Sequence, residues 1–194
     1  VEECLRAGYT SVMLDFSTRP YAENVAAMRE VVALARPYDV PVEGELGHIG
    51  QADAVTPEGD GESTLTDPAE AGRFVRETGV DALAVSIGNA HGRYPKLPAL
   101  DLERLEEIRS ATSVPLVLHG GSGTPEEELQ RMISLGIAKV NVATELVTAL
   151  RGSLLEQWQN GRNLWIPTAQ AEAMTAMVPV VEKWIRCTGA AGRA

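Results

Sequence analysis

Leu116-Val117-Leu118-His119-Gly120-Gly121-Ser122-Gly123 is a short apolar run that ends in a histidine and passes into glycines. Thr124-Pro125-Glu126-Glu127 follows and reads as a helix start, with Thr124 as cap, Pro125 at the first helical position and Glu127 closing a capping box. The pattern predicts a strand that delivers an imidazole at its C-terminal end, beside backbone N–H groups and a helix N-terminus. Such N–H groups and the helix dipole favour an anion, phosphate above all. The same grammar occurs upstream in Ala82-Leu83-Ala84-Val85-Ser86-Ile87-Gly88-Asn89-Ala90-His91-Gly92. Two strand-end His-Gly pairs point to one site built from successive βα loops.

The flanking sequence repeats this alternation. A helix closes at Gly8, and residues 11–15 read as a buried strand ending in Asp15. Residues 21–36 carry Val25, Met28, Val31, Val32 and Ala35 on one helical stripe. Residues 40–46 form the next strand, with Glu43 and Glu45 on one face under period-2 alternation. Helices are predicted at 67–79, 102–110 and 124–135, and strands at 81–87, 115–119 and 138–142. Residues 144–159 and 169–187 complete the chain as helices, the second kinked or broken by Pro179.

Near-continuous apolar strands alternating with helices mean parallel strands covered by helices. Asp15, Glu45, His91, His119 and Asn141 stand at the C-terminal ends of the five strands, where TIM barrels and open α/β sheets place their chemistry. No dinucleotide glycine fingerprint is present, so the fold class expected is α/β, a TIM (β/α)8 barrel. An eight-stranded barrel needs three strands more, placed upstream of Val1. The chain is therefore expected to be a fragment, residues 1–194 forming a single domain with the last five βα units and C-terminal helices.

Composition narrows the function. Hydrophobic content of 44% and charged content of 23% are ordinary for a globular protein. A net charge of -10 argues against a nucleic-acid partner but not against an anionic small substrate, since local N–H groups and a metal overrule global charge. Two cysteines, Cys4 and Cys187, are too few for a disulfide framework and favour a reducing cytoplasm. No apolar run approaches the roughly 20 residues that span a bilayer.

His91 and His119 are nitrogen donors of the kind Zn²⁺ prefers, and together they are a stronger signal than either alone. A catalytic zinc takes three protein ligands. Glu45 is one candidate for the third, and a residue upstream of the chain is the other. Glu43, Glu45 and Asp15 form an acidic set nearby; the blander reading has Glu43 paired with Lys139. His48 reads as a solvated side chain. Gly92, Gly120, Gly121, Ser122, Asn141 and Thr144 make up an anion site, to which Lys96 adds charge, with ordinary turn and capping chemistry as the alternative. Residues 47–66 form a long loop whose Asp53, Glu58, Asp60 and Glu62 are candidates for a proton-transfer group. Trp158, Trp165 and Trp184 read as core or oligomer contacts.

Four ordered motifs, Glu43-Gly44-Glu45-Leu46-Gly47, Gly88-Asn89-Ala90-His91-Gly92, Leu116 to Gly123 and Lys139-Val140-Asn141-Val142-Ala143-Thr144-Glu145, resemble the class II, zinc-dependent ketose-bisphosphate aldolases. Tyr21-Ala22-Glu23-Asn24-Val25 also matches, and the resemblance covers essentially the whole chain. It implies a (β/α)8 barrel that reversibly cleaves a fructose or tagatose 1,6-bisphosphate into dihydroxyacetone phosphate and glyceraldehyde 3-phosphate through a zinc-stabilised enediolate. By the resemblance His91 and His119 bind Zn²⁺. Glu45 and Asp15 belong to the surrounding acidic shell, which can hold an alternative metal position or a further cation. Gly92, Gly120, Ser122, Asn141 and Thr144 bind the ketone phosphate. A homodimer or homotetramer in the cytoplasm is expected, with neither nucleic acid nor membrane as partner.

Two departures matter. The family's third zinc histidine and its catalytic aspartate lie in a Leu-Asp-His motif upstream of where this sequence starts. The family's Gly-Gly-x-Glu loop reads Gly50-Gln51-Ala52-Asp53 here, so Asp53 is the replacement loop acid. The chain by itself is thus expected to be inactive. The competing reading is a non-catalytic fragment or degenerate paralogue that retains phosphosugar and metal binding.

Overall fold

The computed structural model describes residues 1–52, 64–92, 94, 96, 99–162 and 165–193. Five strands, β1 (Val12–Leu14), β2 (Val42–Leu46), β3 (Ala82–Val85), β4 (Leu116–Leu118) and β5 (Ile137–Val140), form one sheet in chain order. All four pairings are parallel. Helices α2 (Tyr21–Ala35), α3 (Pro68–Thr78), α4 (Leu102–Ala111) and α5 (Glu126–Ser134) make the crossovers. Helix α1 (Glu2–Arg6) precedes the sheet, and α6 (Thr144–Gln159), α7 (Ile166–Thr175) and α8 (Val178–Cys187) follow it. This is an arc of five βα units of a barrel that is not closed, as the alternation predicts. Pro179 lies in the first turn of α8, so it starts a new helix after the break at 176–177 rather than kinking one.

Two capping signals place the crossover helices as expected. Asp67 Oδ1 accepts from Glu70 N (2.9 Å) with Pro68 behind it, and Gly79 ends α3 in the left-handed region at φ 73°. Asp101 Oδ1 accepts from Arg104 N (2.9 Å) at the start of α4. The capping box expected for α5 does not form. Pro125 takes an extended ψ of 144°, so it is the cap rather than the first helical residue, and no side chain caps the helix. Thr124 instead closes a turn, its N–H donating to Gly121 O at 3.1 Å. The glycine loop therefore keeps Thr124 for itself, and the helix starts later than the sequence suggests.

Strand alternation splits the buried layer by chemistry. On the helix side Gly44 leaves room for Phe74, Val80 and Met28, whose atoms would lie 3.1–3.3 Å from a Cβ there. Phe74 is fully buried and meets Tyr21 edge-on at 6.1 Å between ring centroids. Leu83, Leu105, Ile108, Leu116, Leu129 and Met132 continue this core. Glu43 and Glu45, on the other face of β2, are buried as well. Among the described residues no helix is long and apolar enough to cross a membrane.

Truncating Phe74→Ala removes the central side chain between α3 and β2, and urea unfolding should show a loss of about 3–5 kcal/mol. A loss under about 1 kcal/mol would mean that the helix layer is not organised around this ring.

Candidate functional site

The C-terminal ends of the strands gather the polar residues. His91 and His119 face one another there, their ring centroids 5.7 Å apart and their planes inclined by 50°. His119 is buried between two carboxylates: Nε2 lies 3.0 Å from Glu43 Oε1, and Nδ1 lies 3.3 Å from Glu45 Oε2. Lys139, from β5, reaches Glu43 Oε2 at 2.7 Å. The pairing of Glu43 with Lys139 is thus present, but it is half of a chain that runs Lys139–Glu43–His119–Glu45.

The two carboxylates sit in different electrostatic surroundings. Burial pushes Glu43 upward, but the hydrogen bonds from His119 and Lys139 outweigh it and hold its carboxyl below the usual range. Glu45 has no cation of that kind. Burial, reinforced by the charge of Asp15, raises it to about 7. Glu43, ionised, can only accept, so Nε2 is the protonated nitrogen of His119. Nδ1, on the other side of the ring, faces Glu45. His91 is lowered, by burial first and then by His119, which keeps its imidazole neutral and able to ligate.

Asp15 is exposed, and its Oδ1 accepts from Ser17 N at 2.8 Å, closing the loop after β1. Ser17 Oγ donates to Glu45 Oε1 at 3.2 Å and stands 3.5 Å from His48 Nδ1. His48 departs from the solvated reading: its Nε2 is buried and has no partner among the described residues. Its backbone is tied to Thr64, which donates from N to His48 O and accepts at Oγ1 from His48 N. Such a tie depends on how the chain returns from the long loop, which no local pattern announces. Asp53, Glu58, Asp60 and Glu62 lie outside the described residues.

Beside the histidines a cavity of about 610 Å³ is lined by Gly92, Tyr94, Lys96, Ser122, Thr144 and Glu145, with Gly123, Thr148, Ala149 and Val180. It brings together four of the seven residues assigned to anion binding. Gly120, Gly121 and Asn141 stand outside that lining; Gly121 N donates to Asn141 O (2.9 Å), and Asn141 N to Leu118 O (2.9 Å). The N-terminus of α6 stands here at Thr144 with no cap from Ala143; Glu145 N donates instead to Ser122 Oγ (3.3 Å), and the helix dipole adds positive potential beside the cavity. Glu145 was quoted within a motif but given no role by the sequence. Its Oε1 accepts from Gly123 N (2.8 Å), and its Oε2 accepts from Trp184 Nε1 (3.0 Å) and Lys183 Nζ (3.2 Å). It clamps the glycine loop to α8, which explains why Trp184 is buried while Trp158 and Trp165 are exposed.

As a metal site the donor set fits in part. Two facing imidazoles, and a buried carboxyl between them and Ser17, are donor types that suit a divalent cation such as Zn²⁺. Among the described residues, however, no group of three or more His, Cys, Asp or Glu side chains is arranged to hold a metal ion. The described residues offer two imidazoles and their carboxylate surroundings.

The sequence profile of the family described as fructose-bisphosphate aldolase class-II matches residues 1–193. The crystal structure of the YdjI aldolase from Escherichia coli K12 is 36% identical and superposes with a TM-score of 0.82, over 97% of this chain and 64% of that one. A Coccidioides immitis structure, named as a fructose-1,6-biphosphate aldolase, gives 32% identity and a TM-score of 0.85 over 99% of this chain and 68% of its own. The fructose-bisphosphate aldolase of Campylobacter jejuni, at 21% identity, shares the fold with a TM-score of 0.73. The chain thus spans 64%, 68% and 61% of the length of these three proteins.

Glu145 yields a pH test. Burial raises its carboxyl, but the bonds from Gly123, Trp184 and Lys183 prevail and hold it low. A lowered carboxylate contributes stability above its unfolded pKa and loses it as pH falls through the folded value. Glu145→Gln should therefore cost about 1–2 kcal/mol at neutral pH and nothing in acid, read from denaturant unfolding across a pH series. A pH-independent difference would contradict the clamp.

Proposed function

The chain belongs to the class-II fructose-bisphosphate aldolase family, and we propose that it is part of an enzyme that reversibly cleaves a ketose 1,6-bisphosphate, fructose or tagatose, into dihydroxyacetone phosphate and glyceraldehyde 3-phosphate. The observation that carries this reading is the meeting of His91 and His119 beside a cavity lined by Gly92, Ser122 and Thr144. His91 and His119 would hold a Zn²⁺, which when bound supplies a Lewis acid that polarises a ketone oxygen. Glu43 holds Nε2 of His119, so Nδ1 would be the nitrogen left for the cation. Glu45 and Asp15 are its anionic surroundings, and they are also the place for a further cation.

The chain's own groups do the rest. Ser122 Oγ, the backbone at Gly92 and the N-terminus of α6 at Thr144 bind the phosphate of the three-carbon ketone, with Lys96 at the rim. Gly120, Gly121 and Asn141 shape that loop. Glu45, titrating at about 7, is able to hold or release a proton at neutral pH. Asp53 is the loop acid that moves a proton at the substrate. The exposed Val147, Leu155, Trp158, Trp165, Ile166 and Met174 of the C-terminal helices are the surface for a homodimer or homotetramer. A cytoplasmic location agrees with free Cys4 and Cys187.

The second reading, a non-catalytic fragment or degenerate paralogue, is favoured by the lack of a third ligand among the described residues. An aldol-cleavage assay on both bisphosphates separates the two. A form extended upstream to the length of the relatives should cleave one of them, lose activity to a chelator and regain it with Zn²⁺. His91→Ala in that form should lower kcat/KM by about a thousandfold or more. The 194-residue chain alone should bind Zn²⁺ but not turn over. A borohydride-trapped adduct would contradict the metal mechanism, and inactivity of the extended form would favour the paralogue.

A further inference from the structure

The sheet does not by itself fix the distance between the two imidazoles. The β3–β4 ladder ends at the Ala84–Val117 pair, and the chain runs on to His91 and His119 as loops. Three cross-ties join those loops. Asn89 Nδ2 donates to His119 O at 2.9 Å, while its Oδ1 accepts from Ile87 N at 2.9 Å. Gly120, at φ 65°, presses against the Ala90 carbonyl so closely that a Cβ there would collide with it. The Tyr94 hydroxyl accepts from Ala90 N (2.9 Å) and donates to Gly120 O (2.9 Å).

Ala90 immediately precedes His91, and Gly120 immediately follows His119. One oxygen atom thus bridges the backbone next to both imidazoles. The tyrosine ring packs along the glycine loop, where a Cβ on Gly123 would lie 3.4 Å from Cδ2. Burial raises its phenol, so the donor proton stays in place.

We infer that Tyr94 is a positioning residue for the His91–His119 pair: its hydroxyl couples the two loops and sets the spacing at which their imidazoles address a divalent cation. The hydroxyl spends its donor on Gly120 and an acceptor position on Ala90, so it acts through the loops and not on substrate. The consequence for a cation rests on the proposed metal reading. The coupling of the loops does not.

The chain holds three histidines, so its imidazole ¹H–¹⁵N signals report the pair directly. In the metal-free chain, Tyr94→Phe keeps the ring on the loop and removes only the bridging oxygen. His91 and His119 signals should shift or broaden, more than His48 does. Thr112→Val is the control: it removes the hydroxyl that donates to Ile108 O (2.9 Å) at the end of α4, far from the site, and should leave the signals in place. Zn²⁺ competition with a chromophoric chelator should then show affinity about tenfold weaker or worse for Tyr94→Phe and unchanged for Thr112→Val. Circular dichroism establishes that both variants are folded. Unmoved His91 and His119 signals in Tyr94→Phe, or equal movement in Thr112→Val, would overturn the inference. Movement in Tyr94→Phe with no Zn²⁺ uptake by the unmodified chain would uphold the positioning role and sink the metal reading.

Discussion

The close approach of the Ala90 carbonyl to Gly120 is the constraint on which the site depends. Any side chain at Gly120 would push the loop after β4 away from the loop after β3. With it would go the hydrogen bonds of Asn89 and Tyr94 across the gap and the 5.7 Å spacing of the two imidazoles. Glycine is therefore required twice over at this position, for φ 65° and for the missing Cβ. Parallel neighbouring strands bring two loops side by side; this contact turns the pair into one site.

Burying Glu43, His119 and Glu45 would be costly if they were isolated, and each would neutralise or escape to water. Here they are arranged in series. Lys139 holds Glu43 ionised, Glu43 fixes one nitrogen of His119, and Glu45 stands against the other with a raised pKa. The weakly held carboxyl is thus the one nearest the side that a cation would approach. On the anion side the same economy appears in Glu145, whose carboxylate immobilises Gly123 and anchors α8 through Trp184 and Lys183.

Much of this was legible in the sequence because its signals are local. The 2-residue alternation of Glu43 and Glu45, the helix start at Asp67-Pro68 and the apolar runs before His91 and His119 each specify an element without reference to the rest of the chain. Position at a strand's C-terminal end then placed Asp15, Glu45, His91 and His119 together. Less legible were interactions that depend on spatial partners: the tie of Tyr94 to Gly120, the burial of His48 against Ser17, and the grip of Glu145 on a helix 39 residues away. The start of α5 differs from the sequence pattern for a related reason. Thr124 has the right identity for a cap but is consumed by a turn that the glycines before it create.

The central claim is that the loops after β3 and β4 form one cation site with two imidazole ligands. X-ray absorption at the zinc edge of the chain loaded with one equivalent of Zn²⁺ tests it most directly, because imidazole rings give a distinctive multiple-scattering signature. The account predicts two imidazoles completed by oxygen donors, falling to one in His91→Ala. A shell of oxygen alone, or three imidazoles with His48 recruited, would contradict it.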